Sequence, residues 1–74
     1  MNATLKLYGP LKTYTGGEAQ IGLPAGQTVR QALESVGVPA LLVALVVVNE
    51  EPQDKEYVLQ AGDLVKVMAV LGGG

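Results

Sequence analysis

Thr28-Val29-Arg30-Gln31-Ala32-Leu33-Glu34-Ser35-Val36-Gly37 is the stretch from which the rest of the chain is read. Thr28 suits an N-cap, and Gln31 three residues later completes a capping box. Val29, Ala32, Leu33 and Val36 fall at i, i+3, i+4 and i+7, which is one apolar stripe of a helix. Gly37 suits the C′ position and Pro39 forbids continuation. One helix is therefore predicted from Val29 to Val36, and its stripe needs a sheet to cover it.

The segments on either side supply that sheet. Upstream, Thr4-Leu5-Lys6-Leu7-Tyr8 alternates and puts Leu5 and Leu7 on one face of a first strand. Gly9-Pro10 ends it, Leu11 to Tyr14 reads as a loop, and Gly16-Gly17 is a turn. Glu18 to Leu23 alternates again, with Ala19, Ile21 and Leu23 sharing a face, so the two runs form an antiparallel hairpin. Downstream, Leu41 to Val48 is continuously apolar and predicts a strand covered on both faces. Asn49-Glu50-Glu51-Pro52 is a turn, Tyr57-Val58-Leu59 a short strand, and Gln60-Ala61-Gly62-Asp63 another turn. Leu64 to Val70 alternates as the last strand. The order β-β-α-β-(short β)-β predicts an α+β protein of the β-grasp, or ubiquitin-like, type: a mixed sheet of four to five strands with one main helix on one face. Residues 1–71 are expected to form this domain and residues 72–74 a flexible glycine tail.

Composition removes most kinds of chemistry. The 74 residues contain no cysteine and no histidine, which excludes disulfides, zinc fingers, thiol nucleophiles and histidine acid–base schemes. Ser35, in the helix, has no base to activate it. Glu50-Glu51 and Asp54/Glu56 read as a solvated loop rather than as a cation site. Lys6, Lys12, Arg30, Lys55 and Lys66 are scattered in a chain of net charge −2, so nucleic-acid binding is not expected. The apolar run from Val38 to Val48 is too short to span a bilayer, and no secretory signal opens the sequence. A cytoplasmic protein is expected. Of Tyr8, Tyr14 and Tyr57, two are expected to cap core edges and the third to be free to anchor a partner. The remaining feature is Gly72-Gly73-Gly74. Glycines without Cβ atoms are costly to order, yet they pass through a slot too narrow for side chains.

Several local patterns join these elements to a known family. Val46-Val47-Val48-Asn49-Glu50-Glu51 resembles the strand end and turn of small sulfur carriers. Leu59-Gln60-Ala61-Gly62-Asp63-Leu64-Val65-Lys66-Val67 resembles their "L-x-x-G-D-x-V-x-V" turn into the last strand, and Gly73-Gly74 their diglycine end. Leu5 to Lys12 loosely resembles the first strand and following loop of the molybdopterin synthase small subunit. The chain thus resembles the MoaD/ThiS family of ubiquitin-like sulfur carriers.

The resemblance implies a cosubstrate and not an enzyme. An E1-like adenylyltransferase would use ATP and Mg to adenylate the Gly74 carboxylate, and sulfur would then convert it to a thiocarboxylate consumed by a synthase. That synthase would be of the large-subunit molybdopterin type or the thiazole synthase type. The carrier itself would bind no cofactor and no metal. Gly72 and Gly73 would thread the partner's active site. Tyr8, Val65, Val67 and Leu71 are the expected partner surface. Met68-Ala69-Val70-Leu71 stands where molybdopterin-type carriers have prolines, so the resemblance does not choose between the two pathways. Two other readings compete. One is a protein modifier joined through Gly74 to target lysines, and the other is an interaction module with an idle tail.

Overall fold

The capping box forms as the sequence requires. In the computed structural model, which describes residues 2–69, the Gln31 amide donates to Thr28 Oγ1 at 3.1 Å and the Thr28 amide to Gln31 Oε1 at 2.9 Å. Helix α1 (Val29–Ser35) follows and buries Val29, Ala32 and Leu33. It closes in a Schellman motif. The Gly37 amide donates to the Glu34 carbonyl (3.1 Å) and the Val38 amide to the Leu33 carbonyl (2.9 Å). Gly37 has φ of +87°, and a Cβ there would lie 3.4 Å from the Tyr14 carbonyl. Gly37→Ala is therefore expected to lower stability by about 1–2 kcal/mol, read from a urea titration.

Five strands form one mixed sheet: β1 (Asn2–Leu7), β2 (Gln20–Pro24), β3 (Val43–Val48), β4 (Glu51–Gln53) and β5 (Leu64–Ala69), in the order β2-β1-β5-β3-β4. β1 pairs antiparallel with β2 and parallel with β5, and β3 lies antiparallel to both β5 and β4. The inward residues are Ala3, Leu5 and Leu7 of β1, Leu23 of β2, Val43, Val46 and Val48 of β3, and Val65 and Val67 of β5. They close against the helix stripe, Leu11, Val38 and Leu59 in a single aliphatic core. The α+β, β-grasp architecture is as predicted.

The structure differs from expectation in several places. The predicted loop 11–14 belongs to a 3-10 helix, Gly9–Thr15, because Leu11 is drawn into the core and the intervening residues wind to follow it. β2 starts at Gln20, so Ala19 is exposed outside it, and only Ile21 and Leu23 of the expected face pack inward. The run from Leu41 does not form a strand covered on both sides. Ala40–Leu42 is a short 3-10 turn, and in β3 only Val43, Val46 and Val48 face the core, while Ala44 and Leu45 are exposed beside a register shift. Continuous hydrophobicity there reflects an apolar outer face rather than a second covering layer. The 49–52 turn is tighter than expected. Only Asn49 (φ +51°) and Glu50 (φ +71°) turn, as a two-residue primed hairpin requires, which leaves Glu51–Gln53 to pair with β3. Pro52 is tolerated because β4 is an edge strand. The segment around Val58 forms a single bridge to Thr28. The domain boundary expected at residue 71 and the tail at 72–74 lie outside the described residues.

Candidate functional site

Alternation along β5 decides which residues are available to a partner. Val65 and Val67 are 1% and 0% exposed, so these two valines, expected on the partner surface, are core residues instead. The physical reason is visible in the strand itself. Lys66 shares a face with Leu64 and Met68, and a lysine ammonium has to stay in water. The outward set of β5 is thus Leu64, Lys66 and Met68.

Tyr8 does lie on that open face, at 43% exposure, just past the end of β1. With Gly9, Pro10, Met68 and Ala69 it lines a shallow pocket of about 230 Å³. Across β5, Met68 stands opposite Leu45 in register, and both side chains are exposed. Tyr8, Met68 and Leu45 therefore make an apolar row across the sheet at the end where β5 leaves it. Leu71, Gly72, Gly73 and Gly74, the other expected site residues, lie outside the described residues. Leu45 and Met68 were missed by sequence reasoning; the phase of Lys66 signals Met68, whereas Leu45 joins it only through the β3–β5 register.

Of the three tyrosines, only Tyr57 packs at the core edge, while Tyr8 and Tyr14 are exposed. The Tyr57 hydroxyl donates to Asp63 Oδ2 at 3.0 Å. Asp63 is 6% exposed, and it also accepts from the Gln60 amide (2.8 Å) and from Asn49 Nδ2 (2.8 Å). Asn49 in turn accepts from the Leu64 amide through Oδ1 at 2.9 Å. The Asp63 carboxylate therefore clips the β3–β4 turn and the 54–63 loop to the start of β5. Burial pushes its pKa up, but the bonds from Gln60, Asn49 and Tyr57 outweigh this and hold it below its ordinary value. The same bond, followed by burial and the carboxylate charge, raises the Tyr57 hydroxyl. On the open face, Lys66 Nζ of the central strand donates to Oε1 of Glu50 in the β3–β4 turn at 2.8 Å. That bond and the opposite charges lower the Glu50 carboxyl and raise the Lys66 ammonium.

The loop carboxylates are occupied elsewhere. Glu56 meets Arg30 at 3.0 Å, and Asp54 accepts from the Glu56 amide at 2.8 Å. Among the described residues no cluster of three or more carboxylates suited to a metal ion forms. Ser35 donates to the Ala32 carbonyl within its own helix. No helix among the described residues is long and apolar enough to cross a membrane.

A family model described as Mut7-C ubiquitin matches residues 2–71. The chain belongs to the Mut7-C ubiquitin family. Solved structures agree on the fold of this ubiquitin-like protein. It is similar to SAMP1 from Haloferax volcanii, with a TM-score of 0.67 at 19% identity over 100% of both chains. It is also similar to Urm1 from Trypanosoma brucei, with a TM-score of 0.72 at 20% identity over 99% of this chain and 95% of that one. No curated protein matches the sequence. The ubiquitin-like class inferred from the β5 turn and strand order is therefore the one to which this Mut7-C ubiquitin protein belongs.

Proposed function

We propose that this protein is a sulfur carrier whose reactive group is the Gly74 carboxylate. The observation that carries the reading is a ubiquitin-type sheet followed, a few residues past β5, by Gly72-Gly73-Gly74. The apolar row at the exit of β5 supports it, because a partner gripping Tyr8, Met68 and Leu45 would hold the tail's starting point beside its own active site.

A carboxylate is ionised at neutral pH and gives no useful leaving group, which is why activation is needed. The carboxylate oxygen attacks the α-phosphorus of ATP and pyrophosphate leaves. The terminal sulfur of a partner's cysteine persulfide then displaces AMP, and a second thiol cleaves the resulting S–S bond. The thiocarboxylate stays on Gly74 and the oxidised pair stays on the partner. An E1-like adenylyltransferase supplies ATP, Mg and catalysis, so the carrier is a cosubstrate in the cytoplasm and a downstream synthase takes the sulfur. Threading through a narrow slot is the part played by Gly72 and Gly73.

Incubation with the activating enzyme, ATP and a sulfur donor, followed by intact mass, tests this. The expected result is the mass gain of one oxygen replaced by sulfur, lost in a variant extended by one residue beyond Gly74. No adenylate and no mass gain would refute the reading. A modifier uses the same activated carboxylate, so Gly-Gly remnants on lysines of other cellular proteins, without thiocarboxylate-dependent sulfur transfer, would favour conjugation instead.

A further inference from the structure

The open face of the sheet carries a charge arrangement that folding alone does not favour. Lys6 of β1 and Lys66 of β5 are direct neighbours in the parallel register, on strands about 5 Å apart. Like charges placed side by side across a sheet are destabilising. Only Lys66 is compensated within the fold, by Glu50. Among the described residues, Lys6 has no carboxylate within ion-pair distance. In a chain of net charge −2, the two cations stand at the middle of this face, while Glu18 and Glu50 are in the turns at its margins. Asp54 and Glu56 lie beyond the free edge of β3 with Arg30 and Lys55, and Asp63 is buried. Two residues further along β1 and β5, at the next outward position, the lysine pair gives way to the apolar row of Tyr8, Met68 and Leu45.

We propose that this face docks a partner surface consisting of an apolar projection flanked by carboxylates, with the projection seated between Tyr8, Pro10 and Met68 and the carboxylates on Lys6 and Lys66. The proposal rests on the sulfur-carrier reading for the identity of the partner, the activating enzyme. The apolar contact supplies residence time, and the lysine pair supplies orientation and association rate. A partner carboxylate on Lys6 supplies the ion pair that the fold leaves unmade there among the described residues.

The test compares two double substitutions that remove the same charge. Lys6→Gln/Lys66→Gln acts on this face, and Arg30→Gln/Lys55→Gln acts beside the β3 edge. Affinity for the purified activating enzyme is measured at low and high salt, with circular dichroism as the folding control. At low salt the first pair is expected to weaken binding about tenfold, mostly through the association rate, and the second pair to leave it unchanged. At about 0.5 M salt the difference should shrink to under threefold, because screening removes the charge contribution. Equal weakening by both pairs, or none by the first, overturns the proposal, as does a homodimer that Met68→Glu dissociates. If the wild type gains no sulfur at all, it is the sulfur-carrier reading that fails. Sulfur gain with unaltered binding by the lysine variants removes only the docking surface.

Discussion

Val67→Glu is expected to leave the chain unfolded at 25 °C, whereas Met68→Glu, one residue along the same strand, is expected to fold. Val67 is fully buried, at the centre of the sheet, opposite Val46 on one side and beside Leu7 on the other. A carboxylate there loses its hydration and finds no donor, because its surroundings are aliphatic. A cost of about 4–5 kcal/mol or more is comparable with the whole stability of a domain of this size. Met68 projects into water from the other face at 41% exposure, so the added charge stays hydrated and stability changes by no more than about 0.5 kcal/mol. Amide spectra separate the two cases at once: collapsed dispersion for Val67→Glu and a native pattern for Met68→Glu. A folded Val67→Glu protein would mean that β5 presents its other face. If the sulfur-carrier reading holds, the folded Met68→Glu variant should also lose affinity for the activating enzyme, which separates the surface role from the core role within one strand.

Asp63→Ala is expected to cost about 3 kcal/mol, which for a domain this small lowers Tm by about 15 °C. The substitution leaves the Gln60 amide, Asn49 Nδ2 and the Tyr57 hydroxyl without their acceptor, and it loosens two loops at once. The pH dependence follows from the sign of the shift. The folded pKa of Asp63 lies below its ordinary value of 3.8, so the unfolded chain takes up the proton first as pH falls. The ionised carboxylate therefore stabilises the fold fully above pH 3.8, and that contribution is lost progressively as pH falls from there through the folded pKa. Urea titrations from neutral to strongly acid pH should show this loss in the wild type and a flatter curve in Asp63→Asn, which has no charge to lose. Superimposable curves would show that the carboxylate is not the clip described here.

The legible parts of the fold were those governed by neighbours in sequence. Thr28, Gln31, the Val29-Ala32-Leu33 stripe and Gly37 specify a helix and both its ends within one short segment, because capping and periodicity act over three or four residues. The glycine turn at Gly62 and the alternation after it likewise mark the last strand, and the order of elements then leaves the β-grasp as the way to cover the helix stripe. On the functional side, the absence of cysteine and histidine turns attention from side-chain catalysis to the glycines at 72–74.

The direction in which β5 faces was a matter of tertiary structure. Period-2 alternation shows that Val65 and Val67 share a side, and Lys66 draws the other side toward water, but Leu64 and Met68 make that side largely apolar too, and joining Leu11 and the helix stripe in one core completes the choice. Asp63 is a similar case. Next to Gly62 it reads as a turn residue, and its burial depends on Asn49, which the β3–β4 turn brings back to it, and on Tyr57 at the far side of its own loop. The juxtaposition of Lys6 with Lys66, sixty residues apart, exists only because β1 and β5 run parallel at the middle of the sheet. Local rules specify what each segment becomes, since their energies are decided within a few residues. Which faces meet, and hence which residues a partner can touch, depends on burial summed over the whole chain.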